Sequence, residues 1–304
     1  MPTDPLAPLI VSGAPRSGTS LLYNLFDGHP EVSWLGDEGF LFEYICDLGD
    51  TASLFIDALP QDEIALIAGI RDKQLMPPLD QPYVQSRARG SVSDVKIEWD
   101  WDEAAFHNAL SGSRPFSVNE LWRWLAAASV AGLSQLPRKF GCMKSPDYGK
   151  SVEAALRWCP DARALLIVRD PLYSLDSLKR SRELREEKLL TWPLLALQVS
   201  NFQKLHQRIM SADRDRLMII RYESLVLDAE RIMRDAASWL GIDFDSNLLN
   251  PTMHGQSWPG ISSFEATSGI ETKPAERHIV ALSDREQHFV RTALRDLCQA
   301  FDFR

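Results

Sequence analysis

Short, nearly unbroken apolar runs alternate along this chain with longer stretches whose apolar positions recur every three or four residues. Leu9-Ile10-Val11 running into Ser12-Gly13 reads as a buried strand over 9–13. A helix is predicted from Thr19 to Gly28, stopped by His29-Pro30. Phe40 to Leu48 has helical spacing behind the acidic pair Asp37-Glu38, and 51–72 also reads as helix, interrupted at Pro60. From Met76 to Asp102, Pro77-Pro78, Pro82 and Gly90 break the pattern and predict a long irregular excursion. Helices return over 103–110 and over 120–131, the second through the stripe Leu121, Trp124, Leu125 and Ala128. Next come a strand over 138–143 closing at Lys144, a helix over 152–158 and an apolar strand over 162–168. A helix starts just beyond Pro171, a residue suited to a first turn. The remaining expectations are a helix over 193–210, a strand over 217–220, a helix over 229–240, a loop over 250–275 and a helix over 284–300.

Strands alternating with helices imply an α/β fold, an open parallel sheet flanked by helices with right-handed crossovers. No internal repeat or clean linker divides the chain. One domain over 1–304, with a divergent insertion at about 50–135, is therefore expected.

Between the first strand and first helix stands Gly13-Ala14-Pro15-Arg16-Ser17-Gly18-Thr19-Ser20. Backbone N–H groups of such a loop converge on an anion, and the helix start adds unpaired donors. A Walker loop places lysine directly after its second glycine. Here that position is Thr19 and the strong cation is Arg16, so this is a P-loop-type cradle without its lysine. A solvent-facing turn is the plainer reading of Arg16. A second cation, Arg169, ends the strand over 162–168, with Ser177 eight residues further on. Open α/β sheets bind ligands at such strand ends, and the planar guanidinium fork suits oxyanions. The competing reading is a structural Arg169–Asp170 pair with Ser177 merely helical. Lys144 is a third strand-end cation.

The net charge of −9 argues against nonspecific nucleic-acid binding, though it leaves room for a locally basic pocket. Four scattered cysteines point to free thiols in a reducing compartment. With no apolar run of membrane-spanning length and no cationic leader, a cytoplasmic location is expected. The six histidines form no zinc-ligand spacing and there is no G-x-S-x-G elbow, so neither metal nor hydrolase chemistry is indicated.

The loop Pro15-Arg16-Ser17-Gly18-Thr19-Ser20 resembles the 5′-phosphosulfate loop of sulfotransferases that use 3′-phosphoadenosine-5′-phosphosulfate (PAPS), in the form found in tyrosylprotein and related bacterial enzymes. Arg169-x-Pro171 with Ser177 is similar to that family's 3′-phosphate motif, Arg221-Tyr222-Glu223-Ser224-Leu225 to its R-Y-E-x-L segment, and Lys273-Pro274 to its late cofactor loop. The resemblance implies a sulfotransferase-like fold and transfer of a sulfuryl group from PAPS to a hydroxyl by in-line displacement. The products would be 3′-phosphoadenosine-5′-phosphate (PAP) and a sulfate ester, with no metal required. It implies that Arg16, Ser17, Gly18, Thr19 and Ser20 hold the phosphosulfate, that Arg169 and Ser177 hold the 3′-phosphate, and that Tyr222 and Lys273 contact the cofactor. It also implies that Lys144 meets the sulfate or bridging oxygen.

Where the cytosolic branch carries a histidine base two positions after that lysine, this chain has Pro146. The base expected instead is Glu38, because Gly36-Asp37-Glu38 is similar to the G-E-E segment of tyrosylprotein sulfotransferases. One extra residue between Pro30 and Gly36 keeps Asp37 a rival, and His107 is a weak reserve. The plainer reading is an acidic N-cap pair for the helix over 40–48. A P-loop kinase, favoured by the Gly13-to-Gly18 spacing and opposed by Thr19, is the alternative activity. The acceptor is expected to be small or amphiphilic. Trp99, Trp101, Trp122 and Trp124 pack a core or line its groove, and 179–188 is a lid over the cofactor or a solvated helix.

Overall fold

The computed structural model describes residues 5–38, 40–59, 83–85, 95–111, 115–185, 190–258, 260, 269–270 and 278–303, with backbone alone at 37, 38, 83–85 and 95. In chain order, Ala7–Gly13 (β1) feeds Thr19–Asn24 (α1), followed by Val32–Glu38 (β2), Leu41–Leu48 (α2) and Ala52–Asp57 (α3). Tyr83–Gln85 (β3) and Val95–Ile97 (β4) precede Glu103–Leu110 (α4) and Val118–Gly132 (α5). Phe140–Ser145 (β5), Lys150–Trp158 (α6), Arg163–Val168 (β6), Pro171–Leu184 (α7) and Trp192–Ser211 (α8) follow. Leu217–Arg221 (β7) runs directly into Tyr222–Leu227 (α9) and then Ala229–Leu240 (α10). Thr252–Met253 (β8), Gln256–Ser257 (β9), Asp284–Ala293 (α11) and Arg295–Ala300 (α12) follow, and short 3-10 turns occupy Gly49–Thr51 and Ser246–Leu249.

β1, β2, β5, β6 and β7 form one parallel sheet in the order β2-β5-β1-β6-β7. Alternate residues of a strand point to opposite faces. Ile10, Met143 and Leu166 accordingly enter one apolar cluster, and Leu9, Val11, Cys142, Leu165 and Ile167 the other. Burial on both faces accounts for the near-continuous apolar runs of β1 and β6. With β1 central, the chain leaves it toward both sheet edges. The loops after β1, β5 and β6 therefore gather at the carboxyl end, where such sheets bind ligands.

Several sequence expectations are corrected. The first helix ends at Asn24, because Phe26 N–H tightens onto Tyr23 O (3.1 Å) and Gly28 takes φ +78°. Asp37 and Glu38 do not cap α2: they belong to β2, and the helix begins from Phe40 with no side-chain cap. The excursion over 76–102 contains the antiparallel pair β3–β4, and the loop over 250–275 contains the hairpin β8–β9. The last helix is two, divided at Leu294.

The tryptophans go to packing. Trp122 is fully buried with Nε1 donating to Leu6 O (3.0 Å), and Trp124 Nε1 donates to Leu110 O (3.1 Å). Trp101 Nε1 donates to Glu103 Oε2 at 2.6 Å. Trp99 stacks on His254 with ring centres 4.2 Å apart, and burial pushes that imidazole down to about 4.

In the described part of 179–188, Ser181 is buried and the other residues of α7 are half-buried. Asp176 Oδ1 accepts the N–H groups of Val280, Ala281 and Leu282 at 3.1, 2.6 and 2.9 Å, and Lys179 pairs with Glu286 at 2.9 Å. The C-terminal segment is thereby fastened to the helix that carries Ser177. Residues 186–189 lie outside the described residues.

Candidate active site

Gly13 ends β1 pressed against β6, where an added Cβ would stand 2.4 Å from Ile167 O. Only glycine lets the chain leave the sheet there without displacing β6. Ser17 closes the turn by donating both its N–H (3.1 Å) and its hydroxyl (2.6 Å) to Ala14 O. Its donors are therefore spent inside the loop. Arg16 (φ +67°) and Gly18 (φ +99°) both take left-handed backbone, and a Cβ on Gly18 would stand 2.4 Å from the Tyr222 ring. α1 starts at Thr19 with no side-chain cap, which leaves first-turn N–H groups for an anion.

The structure brings the two cation motifs together. Arg16 Nε donates to Ser177 Oγ at 3.2 Å, and Arg169 Nη1 donates to Arg16 O at 3.0 Å. The Arg169 guanidinium lies 4.4 Å from the Tyr222 ring centre and 6.0 Å from that of Tyr173. Tyr222 therefore packs at once against the glycine of the loop and the cation of the second motif. Arg16 is not a solvent-facing turn residue. Asp170 caps α7 by accepting from Leu172 N–H (2.8 Å), while its own N–H donates to Glu223 Oε1 at 3.1 Å.

On the other side of β1, Lys144 is 1% exposed and donates from Nζ to Ser20 Oγ at 2.9 Å. Glu38 is its register partner across the β2–β5 edge, so the backbone sets both at the carboxyl end of the sheet. The side chains of Asp37 and Glu38, and the whole of Lys273, lie outside the described residues. His107 is engaged by Glu103 Oε1 at 2.8 Å on its own helix.

One contributor went unread in the sequence. The buried Asp147 carboxylate accepts from Ser12 Oγ (2.8 Å), Gly149 N–H (3.1 Å), Ser151 N–H (2.8 Å) and Ser151 Oγ. Burial raises its pKa despite these donors. It ties the end of β1 to the start of α6, and next to it Tyr148 N–H donates to Gly13 O at 3.0 Å. The available signal was Asp147 two residues before Gly149, a spacing at which a carboxylate closes its own turn.

Asp170 gives a pH test of this region. Burial foremost, with Glu223 nearby, raises its pKa from 3.8 to about 6. The folded state thus holds this proton more tightly than the unfolded chain. Its contribution to stability is greatest below about pH 4 and is lost as pH rises through about 6. Asparagine keeps the cap without the charge. Asp170→Asn is expected to stabilise the protein at pH 7 by up to about 3 kcal/mol, with the difference vanishing near pH 4. Urea unfolding at the two pH values measures it; equal differences at both would assign the carboxylate no such strain.

Among the described residues no group of three or more His, Cys, Asp or Glu side chains could hold a metal ion, and no helix is long and apolar enough to cross a membrane. A profile described as "Sulfotransferase family" matches residues 8–246. The sulfotransferase domain from the curacin biosynthetic pathway is similar in fold, at TM-score 0.52 and 16% identity over 95% of this chain and 98% of that one. The sulfotransferase domain of the Synechococcus PCC 7002 olefin synthase is similar at TM-score 0.52 and 17% identity, covering 95% of each chain.

Proposed function

This chain belongs to the sulfotransferase family, and from that premise we propose that it moves the sulfuryl group of PAPS to a hydroxyl acceptor, releasing PAP and a sulfate ester. The observation that carries the reading is the joining of two anion grips, Arg16 with Ser177 at 3.2 Å and Arg169 with Arg16 O at 3.0 Å. A ligand with phosphates at both ends of one ribose fits such a pair. Gly13 and Gly18, where a Cβ would collide with Ile167 O and the Tyr222 ring, let the loop pack closely between the two grips.

When bound, PAPS supplies a sulfuryl group already activated by its phosphate leaving group. The chain's part is to hold and to neutralise. First-turn N–H groups at Gly18, Thr19 and Ser20, with Arg16, hold the 5′ end, while Ser17 braces the loop from within. Arg169 and Ser177 hold the 3′-phosphate, with Tyr222 keeping the guanidinium in place. Lys144 meets the charge that develops on the bridging oxygen as the S–O bond breaks. Glu38 takes the proton from the acceptor hydroxyl as its oxygen bonds to sulfur, with Asp37 the neighbouring rival. Lys273 adds a further cofactor contact. The acceptor is a small or amphiphilic hydroxyl compound.

Calorimetry with PAP and AMP tests the cofactor assignment. PAP is expected to bind at least about a hundredfold tighter, from two charge-assisted bonds to its 3′-phosphate. Equal binding, or magnesium-dependent ATP turnover that disappears in Arg16→Ala, would replace this reading with a nucleotide-triphosphate enzyme. Glu38→Gln is expected to lower turnover by about 10²-fold or more, with PAP affinity unchanged within about twofold. Initial rates with an acceptor found by screening hydroxyl compounds provide the check. Normal turnover in Glu38→Gln would move the base to Asp37.

A further inference from the structure

Behind the sheet, between α6, the end of α8 and the start of β7, lies a cavity of about 210 Å³ that the proposed reaction does not use. Its apolar lining comes from Val152, Leu156, Leu166, Ile209 and Leu217. Three arginines, Arg157, Arg208 and Arg216, stand on it with only two acids, Glu153 and Asp213. Each guanidinium is partly engaged. Arg208 Nε pairs with Glu153 (2.7 Å), Arg216 Nε pairs with Asp213 (2.8 Å), and Arg157 Nη2 pairs with Asp50. A guanidinium has five N–H donors, so one carboxylate partner leaves several unused. Arg208 Nη1 also donates to Tyr148 O (3.4 Å) and Arg216 Nη1 to Cys159 O (3.2 Å) and Pro160 O (3.3 Å), while among the described residues Nη2 of both makes no hydrogen bond.

We propose that this cavity is a binding site for a small amphiphilic anion, a single carboxylate or sulfate head on a short alkyl chain. The chemistry follows from the lining: an apolar volume for the chain, and forked guanidinium donors for the head. The volume is below the range typical of drug-sized ligands and excludes a long lipid tail. The site also has a line to the cradle. Arg208 Nη1 donates to Tyr148 O at 3.4 Å, and Tyr148 N–H donates to Gly13 O at 3.0 Å. Tyr148 itself sits at φ +59°, a strained backbone held from both sides. An anion that draws on Arg208 therefore bears on the residue that opens the proposed phosphosulfate loop.

Calorimetry of the full chain with hexanoate, heptanoate and octanoate, each below its aggregation range, tests the site without any assay of turnover. One equivalent is expected to bind, with affinity rising about threefold to fourfold per added CH₂ until the cavity is full. Octyl sulfate is expected to bind as octanoate does, and octanol at least about tenfold more weakly. Ala212→Trp, at the partly exposed mouth, is expected to abolish octanoate binding with unchanged PAP affinity in the absence of octanoate, and Arg208→Gln to weaken octanoate binding about tenfold. Octanol binding as tightly as octanoate, or octanoate binding unchanged in Ala212→Trp, would overturn the site. Saturating octanoate is expected to shift PAP affinity by at least about fivefold, with PAP shifting octanoate reciprocally. Identical PAP affinities with and without octanoate would refute the link to the cradle. Failure of PAP to bind at all would count against the proposed function and leave the chain-length series as the reading of the cavity.

Discussion

Lys144→Ala is expected to lower turnover by about 10²–10³-fold, the effect of removing a single preorganised charge from a developing oxyanion. The ammonium is 1% exposed and is held at Ser20 Oγ, so its position is set before any ligand arrives. Burial also keeps water from screening it, and charge acts more strongly where the surroundings are dry. Alanine removes volume as well as charge, and a cavity on β5 could loosen the loop indirectly. Lys144→Met separates the two effects because it keeps most of the apolar stem. Both variants are expected to lose turnover alike, with PAP affinity falling less than about tenfold, since the charge matters most as the S–O bond breaks. Rates at saturating PAPS and calorimetry with PAP give the two numbers. Turnover within threefold of the parent in Lys144→Met would make Lys144 a structural residue.

Lys144 also shows how far the sequence reached. Its place at the end of a strand was legible because the short apolar stretch Phe140-Gly141-Cys142-Met143 runs straight into it, all of it buried. The loop after β1 was legible because its glycines and Arg16 lie within eight residues, a local pattern. β2 was not legible. Its run Val32-Ser33-Trp34-Leu35 follows His29-Pro30 and leads into Gly36-Asp37, so turn residues border it on both sides. Its pairing with β5 also breaks register between Trp34 and Glu38. That strand, rather than a helix cap, is what sets Glu38 opposite Lys144. The contact between Arg16 and Ser177 spans 161 positions, and Asp176 meets the N–H groups of 280–282 across more than a hundred. No local pattern encodes such meetings; they follow only when β1 and β6 lie side by side and α7 folds back over their ends.

That same adjacency makes Arg169→Ala the sharpest test of the second anion grip. Arg169 emerges from β6 beside the loop that leaves β1, and its guanidinium is already placed by Arg16 O at 3.0 Å and the Tyr222 ring at 4.4 Å. A preplaced fork loses little freedom when it takes a phosphate, so most of the charge-assisted bonding appears as affinity. Removing it is expected to weaken PAP binding by at least about fiftyfold, at about 1.5–3 kcal/mol for each bond to a charged group. AMP lacks the 3′-phosphate and reads the integrity of the 5′ loop alone. Its affinity is expected to change less than threefold, so that the preference for PAP over AMP collapses. Arg169→Lys keeps the charge but not the fork, and is expected to recover only part of the preference. A parallel fall in PAP and AMP affinity would show that Arg169 merely braces Arg16. An unchanged PAP-to-AMP ratio in Arg169→Ala would remove it from the 3′-phosphate site altogether and leave Ser177 and Arg16 to hold that phosphate.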